Sequence, residues 1–161
     1  MPKSKNSGAN AEAVRVLNKI LEMELAGVVR YTHYSFMIYG HARIPIVSWL
    51  QGEAAKSLAH AQKAGEIITL LGEHPSLEIG PLLETHKHRI DEILRESLEH
   101  ERATLELYRE LLGIAENFSV MLEEYARELI YEEEFDAGTV DKMLRVPGAV
   151  AAFSGSEPRA G

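Results

Sequence analysis

The stretch Leu17-Asn18-Lys19-Ile20-Leu21-Glu22-Met23-Glu24-Leu25-Ala26-Gly27-Val28-Val29-Arg30-Tyr31-Thr32-His33-Tyr34-Ser35-Phe36-Met37-Ile38 decides the fold class. Taken at alternating steps of four and three, it gives Leu17, Leu21, Glu24, Val28, Tyr31, Ser35 and Ile38. That spacing lines one face of a long helix, the face that a bundle helix buries. The stripe is apolar except near its middle, where Glu24 stands. A carboxylate there has no apolar reason to be buried, so the same stretch that specifies a helix also raises a question of chemistry.

The same pattern recurs three times. A second stripe reads Ile46, Leu50, Glu53, Ser57, His60, Ala64, Ile67, Leu71. A third reads Ile90, Leu94, Ser97, Glu101, Thr104 or Leu105, Tyr108, Leu112, and a fourth Leu122, Ala126, Leu129, Glu133, Asp136, Val140, Met143. Breaks fall at Gly40 and Pro45, at Gly72 through Pro81, at Gly113, and at Pro147-Gly148. The expected helices are therefore 10–39, 46–72, 82–112 and 116–145, each about 40–46 Å long at 1.5 Å per residue. No alternating Val, Thr and Ile runs suggest strands. The expected class is all-α, a four-helix bundle over 10–145, with a flexible arm over 1–9 and a tail over 146–161.

The first and third connections are short and join antiparallel neighbours. The second, from Glu73 to Leu83, can run about 36–40 Å when extended, nearly a helix length. It allows a crossover that returns the chain to the other end.

Composition narrows the chemistry. The 161 residues suit one domain with one core. The absence of cysteine removes disulfides, thiolate metal sites and cysteine nucleophiles. Seventeen Lys and Arg against twenty-five Asp and Glu leave a net charge of −8, unsuited to phosphate neutralisation, so no nucleic-acid partner is expected. No apolar run is long enough to span a bilayer, and no secretory signal opens the chain. A cytoplasmic protein without a membrane partner is expected. No phosphate loop or nucleophile elbow appears.

Side-by-side helices bring their midpoints to one layer, so Glu24, His60, Glu101, Glu133 and Asp136 can converge inside the bundle. Several uncompensated buried carboxylates cost several kcal/mol each, on the order given by ion desolvation. The core-facing positions supply no Lys or Arg near that layer, and divalent cations are the economical answer. Carboxylate and imidazole ligands suit iron, manganese or zinc. The alternative for any single helix is a residue at a solvated edge. His100 is expected to face solvent, and of Glu132, Glu133 and Glu134 only Glu133 is in phase. His86 and His88 sit two apart and face opposite sides of a helix. Tyr31 fits either a hydrogen bond to a ligand carboxylate or plain core.

The segment 17–25 followed by Tyr31 resembles the opening helix of the bacterioferritins, in the ferritin-like superfamily. His60-Ala61, residues 70–75, Tyr108-Arg109-Glu110 and residues 125–134 extend the likeness over roughly 12–144. The resemblance implies an up-down-down-up bundle with a long crossover between helices two and three, and a di-iron centre that oxidises Fe²⁺ with O₂ or peroxide and contributes to iron storage. It implies one Glu from each of helices one and three and a Glu-x-x-His from each of the others. Carried over, the ligand positions are Glu24, Glu101, 57 and 60, and 133 and 136. Two depart from the pattern: Ser57 replaces a carboxylate and Asp136 an imidazole. Glu53, one turn back, is the substitute for Ser57. The acting residues are then Glu24, Glu101 and Glu133, and the metal ligands Glu24, His60, Glu101, Glu133, Asp136 and Glu53. Unequal or mononuclear occupancy is expected, with the all-oxygen half (Glu101, Glu133, Asp136) the tighter.

Leu58 follows position 57, where bacterioferritins place a haem-binding Met, so haem is not expected. The tail from Pro147 replaces the family's fifth helix. A homo-oligomer, at least a dimer, is implied. The runner-up function is a non-enzymatic ferritin-like subunit that sequesters metal or joins a mixed assembly. A metal-free interaction bundle is the third.

Overall fold

In the computed structural model, residues 4–82 and 85–153 are described, with side chains from Gly8 onward. Four helices follow one another: α1 Ser4–Met37, α2 Arg43–Leu70, α3 Ile90–Ala115 and α4 Val120–Leu144. The described residues contain no strand.

Five helix bounds shift by three residues or more from expectation, each for a local reason. α1 begins at Ser4, inside the stretch expected to be an arm: Gly8 alone costs a helix only about 1 kcal/mol, and Ala9, Ala11 and Ala13 favour it. α2 begins at Arg43, two residues ahead of Pro45, since proline is accepted in a first turn whose N–H groups have no helical partner. α3 begins at Ile90 rather than 82: His86 adopts φ 55°, incompatible with a continuing right-handed helix. α3 then runs through Gly113 to Ala115. A glycine costs a helix only about 1 kcal/mol, and the buried Leu111 and Ala115 flanking it offset that. α4 opens on Ser119, whose side chain accepts from the Leu122 N–H at 3.3 Å.

The crossover therefore spans residues 71–89, longer than expected. Two hydrogen bonds give its direction. Ser76 N–H donates to Asn18 Oδ1 at 2.7 Å, and Gly80 N–H to the Glu22 carbonyl at 2.8 Å. The chain thus climbs α1 towards that helix's C-terminus before α3 starts. α1 and α2 are adjacent, as are α3 and α4, and the up-down-down-up topology holds. Gly80 lies so close to α1 that an added Cβ would sit 3.2 Å from the Glu22 carbonyl oxygen.

The core has apolar ends and a polar middle. At one end Leu17, Ile20, Ala64, Ile68, Leu111, Leu122 and Leu129 pack together. At the other, Tyr31, Ile38, Leu50 and Ile93 form one cluster and Leu94, Leu98, Ala137 and Val140 another. Each fully buried Leu or Ile contributes roughly 1.5–3 kcal/mol. These ends hold the four helices while the layer between them carries charge.

After α4 the chain leaves the helix at Arg145, and residues 146–153 are not helical. Phe153 packs back on the Ala137–Val140 cluster, with the Arg102 guanidinium 5.9 Å from its ring. The rest of the expected tail lies outside the described residues. Among the described residues, no helix is long and apolar enough to cross a membrane.

Candidate metal centre

Glu24 of α1, His60 of α2 and Glu133 of α4 meet in the polar layer. One ligand atom from each lies within 4.8 Å of the other two. His60 Nδ1 stands 3.0 Å from Glu133 Oε1 and 3.3 Å from Glu24 Oε1. Its Nε2 faces Glu132 at 3.0 Å. All three residues are buried. Glu101 of α3 completes the layer: it is buried, accepts a hydrogen bond from the Tyr31 hydroxyl on Oε1, and hydrogen-bonds Glu133.

Tyrosines set the carboxylates in place. Tyr108 donates to Glu24 Oε1 at 2.8 Å, and Tyr31 holds Glu101. Both rings are fully buried, so each hydroxyl is steered by packing. Tyr31 is thus both core and carboxylate partner, the two roles its stripe position left open.

Burial sets the protonation of the group. Burial raises the Glu101 pKa well above the ordinary carboxylate range, and the ionised Glu133 beside it adds to the effect. Burial also opposes ionisation of Glu133. The hydrogen bonds from His60 and Glu101 outweigh that and hold its carboxyl below the usual range. Glu24 is raised by burial, with His60 partly offsetting it. Burial disfavours a charged imidazole at His60, yet the bonds to Glu133 and Glu24 prevail and lift its pKa to about 10. The resting layer therefore holds an imidazolium between carboxylates, with a proton kept by Glu101.

Two sequence-derived candidates stand apart. Asp136 lies one helical turn beyond Glu133 and Glu53 two turns before His60, and both engage Lys56. Its Nζ is 2.7 Å from Asp136 Oδ1 and 3.2 Å from Glu53 Oε1. A lysine does reach this layer, contrary to expectation, because it enters from the flank of α2 rather than from the apolar stripe. The donor set with an imidazole, rather than the all-oxygen one, is the one whose atoms converge.

His100 corrects a second expectation. It is buried, 4% exposed, and packs edge-on against Tyr31 with ring centroids 6.1 Å apart. Burial, helped by the Arg30 charge, lowers its pKa to about 4, so the ring is neutral. It fits because α3 packs on α1 at Gly27. A Cβ built there would lie 2.6 Å from Ser57 Oγ and 3.0 Å from His100 Nε2. Gly27→Ala should therefore destabilise the protein by about 1–3 kcal/mol through overpacking. A thermal melt checks this, and an unchanged midpoint would contradict the close packing. Glu132, read as a solvated residue, is half-exposed and partners His60 from outside. Neither His100 nor Glu132 shows in the stripes, because both lie off phase with them.

Three carboxylates and an imidazole in a buried layer are the donor chemistry of a divalent transition-metal ion. Within the triad the sole positive charge is that of His60 itself, and deprotonation turns it from a competitor into a ligand. The residues present fit such an ion.

A ferritin-like domain model matches residues 14–146, and the chain belongs to that family. No curated protein matches the sequence. The fold is similar to that of a ferritin-like, diiron-carboxylate protein from Bacillus anthracis str. Ames, with a TM-score of 0.80 and 21% identity over 85% of this chain and 98% of that one. The bacterioferritin of Desulfovibrio desulfuricans gives a TM-score of 0.76 and 23% identity over 88% and 82%. Dps from Thermosynechococcus elongatus gives 0.82 and 11% over 92% and 100%.

Proposed function

We propose that this ferritin-like chain binds Fe²⁺ as substrate in its interior layer, oxidises it with O₂ or peroxide, and contributes to iron storage. The observation that carries the reading is the convergence of Glu24, His60 and Glu133 within 4.8 Å, with Glu101 bonded to Glu133. The ferritin-like family and the diiron-carboxylate title of the Bacillus anthracis relative support it.

Glu24, His60 and Glu133 would hold the ion, and Glu101 would join them on releasing its proton. Fe²⁺ supplies one electron to the oxidant and becomes Fe³⁺. His60 would lose the proton on Nδ1, the nitrogen that faces Glu24 and Glu133, while its Nε2–H stays hydrogen-bonded to the half-exposed Glu132 and orients the ring. Tyr108 and Tyr31 keep the carboxylates aimed inward as the charge changes. The apolar clusters on either side limit water in the layer, which strengthens each ion–carboxylate interaction.

A homo-oligomer is part of the same reading. Phe36, Tyr39 and Ile44 are all well exposed near the α1–α2 turn, and Tyr131 and Phe135 on α4. Such exposure suits burial against further copies. The dodecameric thioferritin of Bacteroides fragilis, a structural relative at TM-score 0.78 and 17% identity, supports assembly. Leu58 offers no haem ligand where the bacterioferritins place a methionine.

Near-ultraviolet absorbance after aerobic Fe²⁺ addition tests the oxidation. The protein should accelerate it over buffer with saturation, and Glu133→Ala should remove at least about 100-fold of the rate, about 2.7 kcal/mol of barrier. An unchanged rate in that variant would withdraw the enzymatic reading. Ion binding without accelerated oxidation would favour sequestration, which Ser57 supports by taking a carboxylate from the ligand set.

A further inference from the structure

The layer adjoining the triad, one to two turns nearer the start of α2, contains Glu53, Lys56 and Ser57 from α2 and Asp136 from α4. Lys56 Nζ donates to both Asp136 oxygens at 2.7 Å and lies 3.2 Å from Glu53 Oε1. The Asp136 side chain is only 19% exposed and that of Glu53 10%. Two carboxylates so far removed from water need a cation beside them. Lys56 already supplies it.

We infer that the interior centre takes one metal ion per chain, at the triad, and that the Lys56 ammonium occupies the place of a second cation between Asp136 and Glu53. The inference rests on the reading of the triad as a metal centre and goes beyond it in fixing stoichiometry.

Local charge agrees. At the triad, Glu24 and Glu133 supply two negative charges to one divalent ion. In the adjoining layer Asp136 and Lys56 balance each other. A second ion would have to displace the ammonium or endure its repulsion at contact range. What it would gain is limited: the carboxylates left are Asp136 and Glu53, both already engaged by Lys56, beside the neutral Ser57 hydroxyl.

Lys56 is half-exposed, so the ion pair itself is screened and modest. Its advantage is tethering. A group on the same chain is present at an effective concentration of about millimolar or more, which a scarce free ion must exceed. The lysine thus acts as a resident competitor.

Co²⁺ titration followed by visible absorption and equilibrium dialysis tests the inference. The wild-type protein should hold one Co²⁺ per chain, lost in His60→Ala. Lys56→Met keeps the length and removes the charge. It should hold two, the second bound at least about tenfold more tightly than any second ion on the wild type. Lys56→Arg should remain at one. Thermal melts confirm that the variants fold, as a half-exposed side chain should allow. Two ions of similar affinity on the wild type, or a single ion on Lys56→Met, would overturn the inference and leave the triad intact. No bound Co²⁺ at all, or equal binding by His60→Ala, would instead remove the metal centre itself.

Discussion

His60→Leu should lower the stability of the metal-free protein by about 3 kcal/mol at pH 7, the low end for breaking a buried ion pair because leucine fills the space. His60 carries the positive charge that lets Glu24 and Glu133 be buried. Its folded pKa, about 10, lies above the ordinary 6.5. A raised pKa of this kind gives stability that is fully present below pH 6.5 and lost as pH climbs through 10. In the variant, Glu24 and Glu133 face each other without a cation, and burial favours their neutral forms. Without the His60 hydrogen bonds that lower them, burial raises both carboxyls above 4.5, so the folded variant takes up protons at a higher pH than the unfolded chain does. The deficit should therefore shrink on acidification from pH 6.5, where the His60 contribution is complete, to pH 4.5. Urea unfolding at both pH values measures it. A variant as stable as wild type at pH 6.5 would show that the imidazolium does not neutralise the layer.

Divalent-ion affinity should rise steeply with pH, about tenfold per pH unit for each proton displaced. At pH 7 His60 is protonated, since its pKa is near 10, and it must lose that proton to bind an ion. Glu101, raised well above the carboxylate range, holds another. Between one and two protons should leave per ion between pH 6 and 8. Calorimetry in buffers of different ionisation enthalpy reads the number directly. Binding heats that do not depend on the buffer would mean that the ion sits elsewhere, on the acidic exterior. The release also separates interior from surface sites, because exposed carboxylates are already ionised at pH 7 and have nothing to give up.

Much of this was legible along the chain. Four stripes with defects at mid-length located Glu24, His60, Glu101 and Glu133 because a helix repeats every 3.6 residues. An acid that breaks an apolar face stands out against its neighbours. The length of the second connection allowed the crossover, and hydrogen bonds to Asn18 and Glu22 confirm its path. What escaped were residues outside the stripes. Lys56 and Glu132 enter the site's edge from the flanks of α2 and α4, and His100 is buried against Gly27 by the packing of α3 on α1. A periodicity sees one face of one helix. It does not see how far a long side chain reaches around that face, nor which neighbour lies off its flank.

The sequence by itself determined the helical class, the number and order of the helices, the family, and the three acids and one imidazole set at mid-length, because each depends on local spacing. Only the tertiary structure decided which of those groups share a space. Relative sliding and rotation of helices are fixed by packing between distant segments. They bring Glu24, His60 and Glu133 together and leave Asp136 and Glu53 with a lysine.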